Sequence, residues 1–184
     1  MTSKIATDEI ASPYSQALLS LAKSKNLTEE FGADARSLLA LFQENQDLQN
    51  FIANPFIKGE NKKVLIRQIL GESGNPYLRN FLLLLVDKRR IAFLEAVLNQ
   101  YLVLLRQLNQ TALAEVISAV TLSEAQQQAV VEKVLTITNA RQVELQTKID
   151  SDLIGGVIIK VGSQVIDASL RGQLRRLSLR LTGN

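Results

Sequence analysis

Apolar residues recur every three or four positions through the first 108 residues, and then at every second position over much of the rest. The first period is that of a helix with one buried face, the second that of a half-buried strand. Tyr14, Ala17, Leu18, Leu21 and Ala22 predict a first helix over 7–25. Phe31, Ala35, Leu38, Leu39 and Phe42 predict a second, capped near Thr28. Leu48, Phe51 and Ile52 predict a short third helix that Asn54-Pro55 stops, because the residue before a proline is pushed out of the helical region. Lys62, Leu65, Ile66, Ile69 and Leu70 mark a fourth, closed by Gly71 and Gly74. Pro76 suits the first turn of a fifth, where its missing N–H is no loss. Tyr77, Leu78, Phe81, Leu82 and Leu85 spread round most of that helix, which predicts a central place in the bundle. Ile91, Leu94, Leu98, Tyr101, Leu102 and Leu105 give a sixth over 90–108.

The period then changes. Thr111 to Val120 reads as a strand, and Ser123 to Ile137 as a helix with Ser123 and Gln126 in capping-box register. Val143, Leu145 and Ile149 alternate with Glu144, Gln146 and Lys148, a strand. Val157 to Val161 and Val165-Ile166 read as two more, joined at Gly162-Ser163. Leu170, Leu174, Leu177 and Leu181 return to helical spacing. The predicted fold class is mainly α: a six-helix bundle over residues 1–109, then a smaller mixed α/β domain over 110–184.

Composition removes most chemistry. The chain has no cysteine and no histidine, so disulfides, thiolate nucleophiles and imidazole ligands or bases are excluded. Its net charge of +3 is mild. Residues 1–11 have no apolar run and do not read as a secretory signal. The longest unbroken apolar run, Phe81 to Val86, is far below the roughly 20 residues that span a bilayer, so no direct membrane insertion is expected.

Four places in the chain are candidates for chemistry. Gly155-Gly156 could present N–H groups to a phosphate, but it enters a β-branched run instead of opening a helix. It reads instead as a turn or a close approach between strands. Asp150, Asp152 and Asp167 lack ligand spacing, and read as turn formers and caps, with Asp167 or Ser169 capping the last helix. Arg171, Arg175, Arg176 and Arg180 on the last helix read either as a solvated face or as a docking surface for acidic groups. Nucleic acid is not expected, because charge is modest and no aromatics interleave. Lys62, Lys63 and Lys88-Arg89-Arg90 read as solvated. No catalytic residue, cofactor or metal is expected.

Several segments together carry a family likeness. They are Ala11-Ser-Pro-Tyr14-Ser-Gln-Ala-Leu18, then Phe51-Ile-Ala-Asn-Pro55 with Lys62 and Lys63, then the leucine-rich stretch from Asn80 to Tyr101. The most specific is Ile149-Asp-Ser-Asp-Leu-Ile-Gly-Gly-Val-Ile-Ile-Lys-Val-Gly162 followed by Val165-Ile-Asp167-Ala-Ser169 and Leu174. End to end, the chain resembles the delta subunit of F-type ATP synthase, the oligomycin sensitivity-conferring protein family. One departure is Ala168, where many members have glycine.

The resemblance implies a non-catalytic stator subunit, one copy per complex. Its bundle would bind the N-terminal helices of the alpha subunits of the catalytic head, and its C-terminal domain the b-type peripheral stalk. Rotation is then coupled to ATP synthesis and hydrogen ion transport. Carried over to this chain, the alpha-binding residues are Tyr14, Ala17, Leu18, Leu21, Leu78, Phe81 and Leu82. The stalk-binding residues are Leu170, Leu174 and Leu177, and Gly155, Gly156, Gly162, Asp167 and Ser169 are a structural signature. Such a protein is peripheral to the membrane through its complex, on the cytoplasmic side. Heavy use of glutamine and asparagine leans toward a cyanobacterial source, and hence toward the thylakoid membrane.

Overall fold

The computed structural model describes residues 4–71 and 74–181. Among them are eight helices and one four-stranded sheet: α1 (Lys4–Lys25), α2 (Thr28–Glu44), α3 (Gln46–Ala53), α4 (Gly59–Leu70), α5 (Pro76–Asp87), α6 (Leu94–Asn109), β1 (Thr111–Ser118), α7 (Glu124–Thr138), β2 (Gln142–Ile149), β3 (Val157–Val161), β4 (Gln164–Asp167) and α8 (Leu170–Leu181). The chain forms two compact units, Met1–Leu105 and Arg106–Asn184, so the division falls within α6.

The first unit buries one continuous cluster fed by all six helices, including Leu18, Phe31, Ile52, Ile66, Leu78 and Leu98. Local chemistry sets the helix ends. Asn45 caps α3, its side chain accepting from Leu48 N, and Asn75 caps α5 by accepting from Tyr77 N, with Pro76 at the first helical position. Gly32 lets α2 approach α6 closely, since a Cβ there would stand 2.5 Å from Leu105 Cδ2. Tyr101 is fully buried, and its hydroxyl donates to Thr28 O at 2.9 Å. Burial, and then the charge of Glu29, pushes that phenol up to about 12.

Several expectations are corrected here. The residue preceding α2 is Leu27, which makes no side-chain cap; Thr28 is the first helical residue. The stretch read as a single sixth helix opens with a short 3-10 turn, Ile91–Phe93. That turn and α6 together, Ile91–Asn109, are long and apolar enough by length and composition to cross a membrane. The stripe of Ile91, Leu94, Leu98, Tyr101 and Leu105 is nevertheless buried within the bundle. Its opposite face carries exposed Glu95, Asn99 and Gln107, which suits a soluble core helix.

Lys62 is not solvated. It is buried, and its ammonium donates to Ile52 O at 2.6 Å and Asn54 O at 2.8 Å, carbonyls that the proline stop leaves without helical partners. Burial lowers its pKa. Lys63 bridges Glu60 at 3.1 Å and Asp87 at 2.7 Å, joining α4 to the end of α5.

In the second unit the sheet order is β2-β1-β3-β4. β1 and β2 are parallel, joined through α7, while β1–β3 and β3–β4 are antiparallel. Alternation on β1 buries Ala114, Val116 and Ser118 on one face. That face packs with Val130 and Val134 of α7, Leu122 and Ile159 as a small core. Ser123 and Gln126 form the reciprocal capping box, at 2.9 and 3.3 Å.

Candidate functional site

With no cysteine and no histidine in the chain, its carboxylates and its surfaces are the candidates for function. Among the described residues no group of three or more acidic side chains stands together as a metal site. Asp150 accepts Asp152 N at 3.0 Å in a turn. Asp167 accepts both Ser169 N at 2.9 Å and Ser169 Oγ at 2.6 Å. Asp150 and Asp167 thus act as turn and cap formers.

In the first unit, the residues singled out on α1 and α5 divide by exposure. Leu18, Leu78 and Leu82 are sealed in the core, Leu18 at 1% exposure, and Phe81 is buried beside them. Tyr14 and Leu21 are half-buried against that core, and Ala17 is exposed. The spacing of Tyr14, Ala17 and Leu21 keeps them on one side of α1. On α5, Tyr77 and Leu84 are exposed, 39% and 45%, seven residues apart and thus on one side of the helix. The central place expected for α5 therefore does not enclose it all round, because apolar residues round most of a cylinder outnumber the ones a single core can cover. Lys25 Nζ lies 5.0 Å from the centre of the Tyr77 ring, a cation–π contact that joins the end of α1 to the start of α5.

In the second unit, the signature residues build the base of α8. Gly156 holds φ +79, and a Cβ there would collide with Ala168 O; at Gly155 a Cβ would stand 2.9 Å from Leu170 Cδ1. Both glycines therefore let the start of β3 pass under the entry to α8, tied by Leu170 N to Gly155 O at 3.0 Å and Ala168 N to Val157 O at 3.0 Å. Gly162, at φ +57, turns the β3–β4 hairpin. Ser169 is buried, and its hydroxyl accepts Gly172 N at 3.0 Å, capping α8. Gly172, which sequence reasoning passed over, packs its Cα on the Asp167 carboxylate, where a Cβ would stand 2.5 Å from Oδ2. The two hydrogen bonds from Ser169, aided by the charge of Arg176, hold the Asp167 carboxyl below its ordinary value of 3.8.

What this base supports is an uncovered helix. Leu170, Leu174 and Leu177 lie on one side of α8, and all are exposed, Leu174 at 59%. Among the described residues, none buried in the small core comes from α8. Arg171, Arg175 and Arg176 are exposed, and Arg176 reaches back to Asp167 O at 3.3 Å. The side chains of Arg180 and Leu181 lie outside the described residues.

Comparison with known proteins gives one consistent match. The family model described as ATP synthase delta (OSCP) subunit matches residues 10–181. The chain is 73% identical to ATP synthase subunit delta of Nostoc punctiforme and 76% identical to that of Trichormus variabilis, each over 184 residues and 100% of both chains. It is 55% identical to the Synechocystis sp. subunit, covering 98% of each. In structure it is similar to a chain of the Toxoplasma gondii mitochondrial ATP synthase hexamer, with TM-score 0.69 over 95% of this chain and 98% of that one. At 22% identity that likeness speaks to fold alone.

Proposed function

The chain belongs to the ATP synthase delta (OSCP) subunit family, and from that premise we propose that its two units grip two different bodies, the first the catalytic head and the second the b-type stalk. As a family member it is a non-catalytic, peripheral-stalk component of F-type ATP synthase, with cyanobacterial relatives. It serves ATP synthesis and ion transport within a membrane-associated complex. The finer reading is that residues 1–109 bind the N-terminal helices of the alpha subunits and residues 110–184 bind the stalk. One copy per complex would act on the cytoplasmic side of the thylakoid membrane.

The observation that carries this reading is that the family match runs through both units, while each unit leaves a different apolar surface uncovered. On α1 and α5 that surface is Tyr14, Ala17, Leu21, Tyr77 and Leu84. An amphipathic helix laid along such a strip is a recurrent mode of recognition, with apolar anchors spaced along its own face. On α8 it is Leu170, Leu174 and Leu177. Burying each such side chain in a partner stabilises by roughly 1.5–3 kcal/mol. A stator needs affinity and stiffness, and neither requires a reacting group.

The test uses membranes stripped of this subunit and then reconstituted. Ala17 is the position to change, because it is exposed; a charge at Leu18 would disrupt the core before it reported on binding. Ala17→Asp should fold as the parent does, lose affinity for a peptide of the alpha N-terminus, and fail to restore ATP synthesis. Full restoration with unchanged peptide affinity would remove α1 from the head interface.

A further inference from the structure

A third surface is used by neither reading. Between the loop after α3 and the turn after α5 lies a concavity of about 580 Å³, within the roughly 300–1,000 Å³ of small binding sites. Its walls include Pro55, Phe56, Lys58, Lys62, Arg89 and Ile91.

Phe56 is 93% exposed. It is not a loose side chain on a loose loop. Asn54 Oδ1 accepts Phe56 N at 2.9 Å, and the buried Lys62 ammonium binds the carbonyls of Ile52 and Asn54 on either side of the helix stop. A well-anchored segment thus holds a large aromatic ring in water, which the hydrophobic effect opposes.

Arg89 adds an independent sign. It lies two residues beyond α5 at φ 56, with its N–H donating to Val86 O and that of Arg90 donating to Leu85 O. Glycine is the ordinary residue in this left-handed position after a helix, because a Cβ there is strained. The chain instead spends the position on an arginine whose side chain lines the concavity.

The charges around the concavity are unbalanced. Its two acidic lining residues, Glu60 and Asp87, are both engaged by Lys63. Among the described residues no carboxylate pairs with Lys58 or Arg89. Lys88 and Arg90 extend the basic rim beside them and are exposed.

We propose that this concavity docks an acidic polypeptide segment of another protein, with one large apolar side chain seated beside Phe56 and its carboxylates held by Lys58 and Arg89. A concave wall with an apolar floor and few free cations suits an inserted side chain better than the flat, charge-dense face that a membrane or a nucleic acid needs. The site is separate from the α1–α5 strip and from α8, so it stands or falls apart from both.

The experiment selects a random phage-displayed peptide library against the full chain, then measures the winners by fluorescence anisotropy on four proteins: parent, Phe56→Ser, Arg89→Gly and Tyr77→Ser. The expected winners carry Asp or Glu around a Phe, Leu or Trp. Their affinity should fall at least roughly tenfold in Phe56→Ser and in Arg89→Gly, and stay unchanged in Tyr77→Ser. Arg89→Gly should meanwhile raise the melting temperature, because it relieves the left-handed arginine. Phe56→Ser should leave melting unchanged, so lost binding there is not lost folding. Winners indifferent to Phe56 and Arg89, or without acidic residues, would overturn the proposal. So would a DNA oligonucleotide or a phosphatidylglycerol vesicle that alone binds in a Phe56- and Arg89-dependent way.

Discussion

The two units solve the same problem with very different means. In the first, every helix contributes to one core, and large side chains such as Phe31, Tyr101 and Leu98 are wholly enclosed. In the second, a small core of Ala114, Val116, Leu122, Val130, Val134 and Ile159 holds one side of a sheet to one helix, and none of the described residues of α8 joins it. A core of that size leaves a domain marginal, and marginal domains gain stability from what they bind. The difference teaches where rigidity resides in a protein of this kind. The first unit is complete by itself and offers a strip of leftover apolar residues. The second leaves Leu170, Leu174 and Leu177 of its last helix exposed.

The largest effect that separates the units is expected from a charge in the first core. Leu98 is completely buried in α6, so Leu98→Asp strands a carboxylate without a partner and should destabilise by more than about 4 kcal/mol. Circular dichroism would show the helical signal of the first unit melting early. Hydrogen exchange should leave the β1–β2 ladder protected if the units are independent. Equal loss of protection in that ladder would mean that the two units unfold as one.

Next comes Lys62→Met, which keeps the side-chain length and removes the ammonium. It leaves the carbonyls of Ile52 and Asn54 without their donor, a loss of roughly 1–3 kcal/mol. Chemical denaturation would read it directly, and the second unit should not respond. A neutral or stabilising result would mean that desolvating the ammonium cancels its hydrogen bonds.

Lys62 also shows where the sequence stops being legible. Helix period, the Asn54-Pro55 stop, Pro76 at a helix start and the Ser123–Gln126 box are local signals, and local signals survive in one dimension. Lys62 looked like any surface lysine because its partners are carbonyls exposed by a stop eight to ten residues away. Tyr77 and Leu84 sat among α5 residues that all looked like core, since period alone does not say how much of a cylinder a core can cover. On α8 the stripe was plain to see, but its exposure was not, because an apolar face reads the same whether its partner is intramolecular or not. Gly172 escaped for a similar reason: only the return of Asp167 against its Cα explains it.

The units should also part company with pH, in opposite directions. Tyr101 belongs to the first. Its folded pKa is raised, so the folded state holds the proton more tightly; the stabilisation is complete below the ordinary value of 10.0 and is lost as pH climbs toward about 12. Tyr101→Phe should remove that alkaline loss, at the expense of about 1 kcal/mol at neutral pH for the missing bond to Thr28 O. Asp167 belongs to the second unit, and its folded pKa is depressed. Its contribution is present above 3.8 and fades as pH falls below that value through the folded one. The protection of the Ser169 and Gly172 amides, exchange by NMR taken relative to the intrinsic rate at each pH, should fall over that acid range in the parent and stay level in Asp167→Asn. An acid step that persists in Asp167→Asn would assign it to another carboxylate.

The smallest expected effect on stability cuts deepest into the comparison. Leu174→Asp makes the same chemical change as Leu98→Asp, on a side chain that is 59% exposed rather than enclosed. If α8 is an interface held ready and not a member of the core, the isolated protein should melt within about 0.5 kcal/mol of the parent. The helix itself should persist, since Ser169 still caps it and Asp167 still anchors Ser169. Binding to stalk subunits should meanwhile fail, because the new carboxylate would have to be buried against apolar surface without a partner. A loss of several kcal/mol in the free protein would show that Leu174 packs within its own chain and that α8 belongs to the core of the second unit. Unchanged melting together with unchanged stalk binding would leave α8 outside both the core and the interface, and the apolar face would then need an occupant that neither unit's present assignment supplies.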